Sequence, residues 1–279
     1  MMQSKPSKSN ARVWEIDAMR GLLLLCLLAW HLYFTVDAFC IDGYYHIDSH
    51  QWVNLTDPLH FWFDWGEDGV IFRAFLTPNF INFLMRSGVD TFFVMSGISC
   101  MFSRNNLKRA LKILAAGVFI TAFTFVLWQL TGDPTRFIRF GALLCYASCQ
   151  LIFLYFLEKR SNEALFCVAA PVLAIGYYLR YHSLTATKLP IFYIFGVPQA
   201  GDLSTDWWPI FPMLGWFLLG VVIGRKYYAE KKSLWPNEIA RRITRPLQFF
   251  GRHSGVIYVG HIVLYPAVFC GIGYLLGIL

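Results

Sequence analysis

Ionisable residues inside long apolar segments are the first sign of chemistry in this chain. Asp17 and Arg20 stand three residues apart near the start of the first apolar segment, so they share one face of a helix and can pair. His31 follows Arg20 after eleven residues, and eleven helical steps return to within roughly 20° of the starting direction over about 16 Å. Arg20 and His31 are therefore expected on one stripe of the helix, at different depths in the membrane.

A second pair of buried charges lies in the next apolar segment. Arg86 and Asp90 are four residues apart, and counting from the outer end of each segment places them level with His31. A carboxylate beside an imidazole fixes its tautomer and strengthens the other ring nitrogen as a base. We predict that His31 is the catalytic base and that Arg86 and Asp90 set its orientation and charge. The alternative is that these charges only pair to hold helices together.

Three further groups of polar residues are candidates for binding. His261 lies near the middle of the last apolar segment, where we predict substrate binding and where it is also the competing candidate for the base. Asp206 and Trp207 stand before the sixth segment and are predicted to face a substrate outside the cytoplasm. Five cationic or imidazole side chains are predicted to bind the phosphate groups of a soluble substrate: Arg20, Arg104, Arg109, Arg252 and His253.

The elements that must position these residues are membrane helices. The 279 residues are 57% hydrophobic and only 15% charged, whereas a soluble domain has roughly 25% charged residues. Apolar runs of about 20 residues are long enough to cross a bilayer. We predict an all-α, polytopic bundle of about seven transmembrane helices, at 18–39, 80–103, 107–130, 136–157, 163–179, 208–224 and 254–277. Pro171 interrupts the fifth, and 188–197 is an alternative re-entrant or interfacial piece.

The distribution of Lys and Arg predicts the orientation of the bundle. Most of the 24 cationic residues fall on the side that holds the N-terminus, which places the N-terminus in the cytoplasm and the C-terminus outside. The chain is then one transmembrane domain over 1–279, with an aromatic and acidic outer loop at 40–79 and a basic cytoplasmic loop at 225–252. The net charge of +7 indicates contact with membrane lipids rather than nucleic acid.

Two motifs resemble those of membrane acyltransferases. The sequence EIDAMRG at Glu15–Gly21, followed by His31, is similar to the opening of these enzymes. The spacing from Arg20 to His31 also resembles that of the bacterial family that O-acetylates surface sugars. The sequence GVDTFFVMSG at Gly88–Gly97 is similar to the second-helix motif of both groups.

Three more stretches resemble a narrower family. IRFGAL at Ile138–Leu143, DWWPIFPMLGWFLLG at Asp206–Gly220 and GRHS at Gly251–Ser254 are similar to bacterial relatives of heparan-alpha-glucosaminide N-acetyltransferase. Relatives often carry a His where this chain has Cys145, so that position is not the base here. The proposed active His of the animal enzyme lies in its first outer loop and has no secure counterpart among His46, His50 and His60.

The resemblance implies the function that we expect. It implies that acyl-CoA, with acetyl-CoA as the expected donor and no metal, transfers its acyl group to a sugar amine or hydroxyl outside the cytoplasm. It also implies an integral multi-pass protein of a bacterial plasma membrane. A homodimer is compatible with this expectation. Two alternatives stay open on the residues alone. One is a transporter that uses the buried charges as a relay, and the other is a haem protein with His31 and His261 as ligands.

Overall fold

The computed structural model describes residues 13–40, 44–46, 51–53, 78–132, 134, 137–181, 189–198 and 206–275. Ten α-helices account for most of this part of the chain. They are α1 Trp14–Cys40, α2 Pro78–Ser99, α3 Asn106–Thr131, α4 Ala142–Ile152, α5 Asn162–Tyr181, α6 Pro190–Phe195, α7 Ile210–Tyr227, α8 Glu238–Ile243, α9 Arg245–Arg252 and α10 Ser254–Leu275. A π-helical turn, Phe153–Leu157, continues α4.

A helix lies at each of the seven segments expected to cross the membrane. Within the part of the chain that the structure describes, three helices are long and apolar enough to do so: Asn106–Leu130, Asn162–Arg180 and Ile210–Tyr227. Ala142–Leu157 and Ser254–Tyr265 are shorter apolar helices. Pro171 lies inside α5, which continues past it, and the segment around 188–197 contains the short helix α6. The basic loop contains two short helices, α8 and α9.

The described residues are all-helical, as expected, apart from one small hairpin that follows α1. Strands β1 (Tyr44–His46) and β2 (Gln51–Val53) pair in antiparallel register, with Tyr45 opposite Trp52. Their residues are rich in aromatic side chains, which favour extended backbone. The strands lie in the segment 40–79, where the sequence suggested only a loop.

The chain divides into two compact units. Unit 1 comprises Met1–Ile16 and Asp90–Asn237, and unit 2 comprises Asp17–Val89 and Glu238–Leu279. In unit 1, α7 packs against α4, α5 and the second half of α2 around fully buried Phe93, Met213 and Phe217. A Cβ on Gly97 would lie 2.1 Å from the carbonyl oxygen of Phe217, and one on Gly220 would lie 2.0 Å from that of Val94. The two glycines therefore let the backbones of α2 and α7 touch.

The first turn of α1 is fixed to the loop that follows α7, within unit 1. The Glu15 carboxylate accepts hydrogen bonds from the Ser233 hydroxyl and from the Leu234 backbone N–H, each at 2.8 Å. Beside it, the rings of Trp14 and Trp235 have centroids 6.1 Å apart. These contacts anchor the start of the helix that continues into unit 2 with Asp17.

Unit 2 is built around a similar helix crossing. A Cβ on Gly21 would lie 1.8 Å from the carbonyl oxygen of Leu247, and one on Gly251 would lie 1.8 Å from that of Asp17. The backbones of α1 and α9 thus touch, in antiparallel register, at two glycines. Each belongs to a motif found in the sequence, EIDAMRG and GRHS, so this crossing gives a physical reason for the glycine in both.

Candidate functional site

A pair of histidines joins α1 and α10 in unit 2. His31 Nδ1 lies 2.5 Å from His261 Nε2, and the two rings stack at 4.8 Å between centroids. One ring must donate and the other accept, so at least one of the two nitrogens in contact carries no proton. The pair therefore holds one shared proton between two bases, an arrangement suited to moving a proton to or from a substrate.

Two tyrosines enclose His261. The Tyr258 and Tyr265 rings each meet the His261 ring edge to face, with centroids 5.3 Å away. The Tyr265 hydroxyl donates to the backbone carbonyl of Leu28 at 3.2 Å, which ties α10 to α1 one turn before His31. His261 is 4% exposed, and its Nδ1 finds no hydrogen-bond partner among the residues that the structure describes.

This geometry bears on the haem alternative. The two imidazole nitrogens are hydrogen bonded directly to each other, so they cannot both ligate one iron in this arrangement. Among the described residues, no group of three or more His, Cys, Asp or Glu side chains is placed to hold a metal ion.

A cluster of charges lies nearer the start of α1. Asp17 pairs with Arg20 at 3.8 Å, as its spacing predicted, and its other oxygen accepts from Nε of Arg252 at 3.3 Å. Gln248 accepts from the same guanidinium at 3.3 Å, so Arg252 is held on two sides. The Asp17 side chain is 12% exposed and that of Arg252 is 41% exposed. The cluster therefore holds Arg252 in a fixed orientation beside Arg20, with its side chain partly exposed.

The next residue in the GRHS motif differs from Arg252. His253 is exposed, and its Nδ1 lies 2.9 Å from the backbone carbonyl oxygen of Phe249. Its ring also packs on that of Phe249, with centroids 4.5 Å apart. Phosphate binding by His253 stays a prediction, with Nε2 as the nitrogen left for it.

Unit 1 holds a basic pocket at the beginning of α3. The pocket has a volume of about 390 Å³ and is lined by Asn105, Lys108, Arg109, Lys112 and Ile113. Asn105 caps the helix, since its side chain accepts from the Lys108 backbone N–H at 2.8 Å. Three cations around one concave surface are suited to phosphate groups. Arg104, which was also predicted to bind phosphate, is exposed and lies outside the lining.

Arg109 is the fixed member of this pocket. Its guanidinium donates to the hydroxyl of Tyr146 on α4 and lies over the ring of that residue, 5.6 Å from the centroid. Tyr146 is 3% exposed and packs against Phe92, Phe93 and Phe217. An arginine held this way loses less conformational freedom on binding an anion than the two exposed lysines would.

Asp90 belongs to a different network, in unit 1. One carboxylate oxygen accepts from the Tyr177 hydroxyl at 2.9 Å, and that hydroxyl accepts from Nε1 of Trp216 at 3.1 Å. The other oxygen is buried and has no hydrogen-bond donor among the described residues. The Arg86 side chain lies outside the described residues. Because His31 and Asp90 belong to different units, the predicted contact between them stays a prediction.

Asp206 joins two of the sequence motifs. Its carboxylate accepts from the backbone N–H of Ala142, the first residue of α4, at 3.4 Å, and from Nε1 of Trp208. Burial raises the pKa of this carboxyl group, and these two hydrogen bonds oppose the shift. Asp206 therefore serves as the cap that Gly141 cannot provide at the start of α4.

Trp207 turns away from that cap. Its Nε1 donates to the backbone carbonyl of Tyr193 on α6 at 3.1 Å, and the two rings stack at 5.0 Å. The structural role of Asp206 and Trp207 is thus visible in the contacts. Their role in binding a substrate stays a prediction.

Several residues of these sites were missing from the sequence predictions. Tyr258 and Tyr265 stand three residues before and four residues after His261, a helical spacing that places them on the same face as the histidine. That spacing was a usable signal. Gln248 and Tyr146 carried none, since their contacts are with residues far away in the sequence.

Comparison with known proteins agrees with the later motifs. The sequence model of the family described as heparan-alpha-glucosaminide N-acetyltransferase, catalytic, matches residues 58–263. The match includes Asp90, Arg109, Asp206 and His261, and begins after α1 with its Asp17, Arg20 and His31. No curated protein and no solved structure matches the chain. Because the matched segment covers more than half of the sequence, the chain belongs to the heparan-alpha-glucosaminide N-acetyltransferase catalytic-domain family.

Proposed function

We propose that this protein is a membrane acetyltransferase that moves an acetyl group from cytoplasmic acetyl-CoA to a sugar amine or hydroxyl on the opposite side of the membrane. Family membership supports acetyl transfer, and the observation that carries the catalytic assignment is the direct contact of His31 with His261. In this proposal the chain is a seven-span protein of a bacterial plasma membrane, with the N-terminus in the cytoplasm.

His31 acts as the general base. When Nδ1 of His31 donates to Nε2 of His261, Nε2 of His31 is left without a proton and can accept one. It takes the proton of the acceptor amine or hydroxyl as that atom attacks the thioester carbonyl. The new C–N or C–O bond forms, the C–S bond breaks, and the proton passes to the departing thiolate. In this proposal His261 fixes the tautomer of His31 and also borders the acceptor. Asp90 and Arg86 set the orientation and charge of His31.

The donor is held by cationic side chains in this proposal. The pocket at the start of α3 offers Lys108, Arg109 and Lys112 to the phosphate groups of CoA. Four further residues supply additional phosphate contacts in this proposal: Arg20, Arg104, Arg252 and His253. Asp206 and Trp207 are proposed to face the sugar.

The test is acetyl transfer by the purified protein in nanodiscs, with glucosamine as the acceptor probe. Free CoA is measured with a thiol reagent and acetylated sugar by mass spectrometry. We expect both products to form in equal amounts, and His31→Ala to lose about 10²–10⁴-fold in rate while still being thermally stabilised by acetyl-CoA.

Cys26→Ala is the matched control, because Cys26 is an exposed residue of the same helix. It should leave the rate unchanged. If acetyl-CoA neither stabilises the wild-type protein nor is consumed with amine or hydroxyl acceptors, the proposed function is wrong. Should the His31→Ala variant keep its rate while the wild type transfers acetyl groups, only the assignment of the base fails.

A further inference from the structure

The short helices α8 and α9 carry an apolar surface that none of the described residues covers. Ile239 and Ile243 stand one turn apart on α8 and are 72% and 73% exposed, and Phe249 on α9 is 56% exposed. All six residues of α8 except Ala240 are exposed. A six-residue helix is too short to be stable in water without a surface to pack against. The described residues leave this face open, and a further surface is needed to cover it.

The charges around these apolar side chains indicate what that surface is. Arg241, Arg242 and Arg245 are all exposed between Ile239 and Phe249, and the one acidic side chain, Glu238, pairs with Arg241 at 3.0 Å. Apolar side chains flanked by arginines form the pattern of helices that lie in a membrane interface. There the apolar groups enter the acyl boundary while the guanidinium groups meet anionic headgroups. A protein partner with an acidic groove would match the charge, but it would not explain why this surface adjoins a helix of a membrane protein.

The opposite face of α9 packs against the interior of unit 2. Gln248 is 3% exposed and donates to the backbone carbonyl of Arg241 at 2.7 Å and to the Thr244 hydroxyl at 3.1 Å. Gly251 touches the backbone of Asp17 on the same side. The segment therefore has one face against α1 and another turned outward, and the hydrogen bonds of Gln248 link α8 to α9.

We propose that residues 238–249 form a binding surface for the headgroups of anionic phospholipids. The proposal concerns lipid recognition and does not depend on the acetyltransferase assignment.

The experiment places an environment-sensitive bimane fluorophore at position 243, through Ile243→Cys in a protein whose other reactive cysteines are replaced. The protein is reconstituted into nanodiscs of phosphatidylcholine, or of phosphatidylcholine with increasing phosphatidylglycerol. We expect a blue shift of the emission that grows with the phosphatidylglycerol fraction. In Arg241→Gln/Arg242→Gln/Arg245→Gln, the fraction that gives half of the shift should rise severalfold.

A matched control removes the same charge elsewhere. Lys159→Gln/Lys231→Gln/Lys232→Gln changes three exposed cations outside α8 and α9, and should leave the midpoint unchanged. A shift that is equal in both lipids, or one that the control reduces as much as the arginine variant does, would overturn recognition of anionic headgroups. The absence of any shift would show that the surface is covered by something other than lipid.

A second measurement guards against labelling artefacts. In unlabelled protein, phosphatidylglycerol should raise the Tm of the wild type more than that of the triple arginine variant. An equal rise in both variants would contradict the proposal.

Discussion

The two units use their polar residues in different ways. In unit 2 the polar contacts are few and largely buried, namely two histidines in direct contact and a carboxylate between two arginines. In unit 1 the cations of the pocket are largely exposed, and only Arg109 is fixed by an internal partner. A buried pair is sensitive to the loss of either partner, whereas exposed cations share their task. The proton transfer and phosphate binding proposed for these two sites place such different demands on a protein.

The largest expected effect tests whether the two histidines act together as a pair that shares one proton. His31→Ala and His261→Ala should each lower the rate of acetyl transfer by about 10²–10⁴-fold, because each removes one partner of a shared proton. The double variant should be no slower than the slower single variant, since residues that act together are not additive. Multiplied losses in the double variant, measured as kcat, would show that the two rings act separately.

The next effect concerns the helix crossing that supports the charge cluster of unit 2. Gly21→Ala should lower the free energy of unfolding by at least about 1–3 kcal/mol. The new Cβ would lie 1.8 Å from the carbonyl oxygen of Leu247, which cannot move without shifting α9. Gly260→Ala on α10 meets no atom within 4 Å and should be neutral or slightly stabilising. Thermal unfolding of the two variants compares them directly. Equal Tm values would mean that α1 and α9 separate at little cost.

A smaller effect is expected in the basic pocket of unit 1. Lys108→Gln/Lys112→Gln should raise KM for acetyl-CoA by between about twofold and thirtyfold, with kcat little changed, since exposed ion pairs contribute modestly. The effect should shrink as salt is added. The control Lys231→Gln/Lys232→Gln removes two exposed lysines outside the pocket. If this control variant raises the KM for acetyl-CoA by the same factor, the pocket lysines act only through the overall positive charge of the protein and not through direct contacts with phosphate.

The smallest effect concerns the buried carboxyl group of Asp206. Because burial raises its pKa in the folded protein, the group favours folding below its ordinary pKa. This contribution is lost as the pH rises through the raised value. Asp206→Asn cannot titrate, so the difference in Tm between wild type and variant should change over that pH range and be constant above it. A difference that stays the same throughout would show that Asp206 keeps its ordinary pKa.

Local spacing predicted much of this structure, and contacts between distant residues accounted for what it missed. The Asp17–Arg20 pair followed from three-residue spacing, and the helices followed from apolar run length. The Asp17–Arg252 and His31–His261 contacts could not be predicted from either pattern. Helical periodicity shows which face of a helix a residue occupies, but it does not show which other helix packs against that face. The hairpin at 44–53 was missed for another reason: three-residue strands are too short to show a reliable alternation.

The separation of the two histidines along the chain bears on how the protein is made. His31 and His261 are 230 residues apart, and Glu15 is 219 residues from the backbone N–H that it accepts from. At about 5–20 residues per second, the ribosome reaches the second histidine roughly 10–50 s after the first. Throughout that interval α1 lacks these partners. The histidine pair is therefore completed only after α10 has been made.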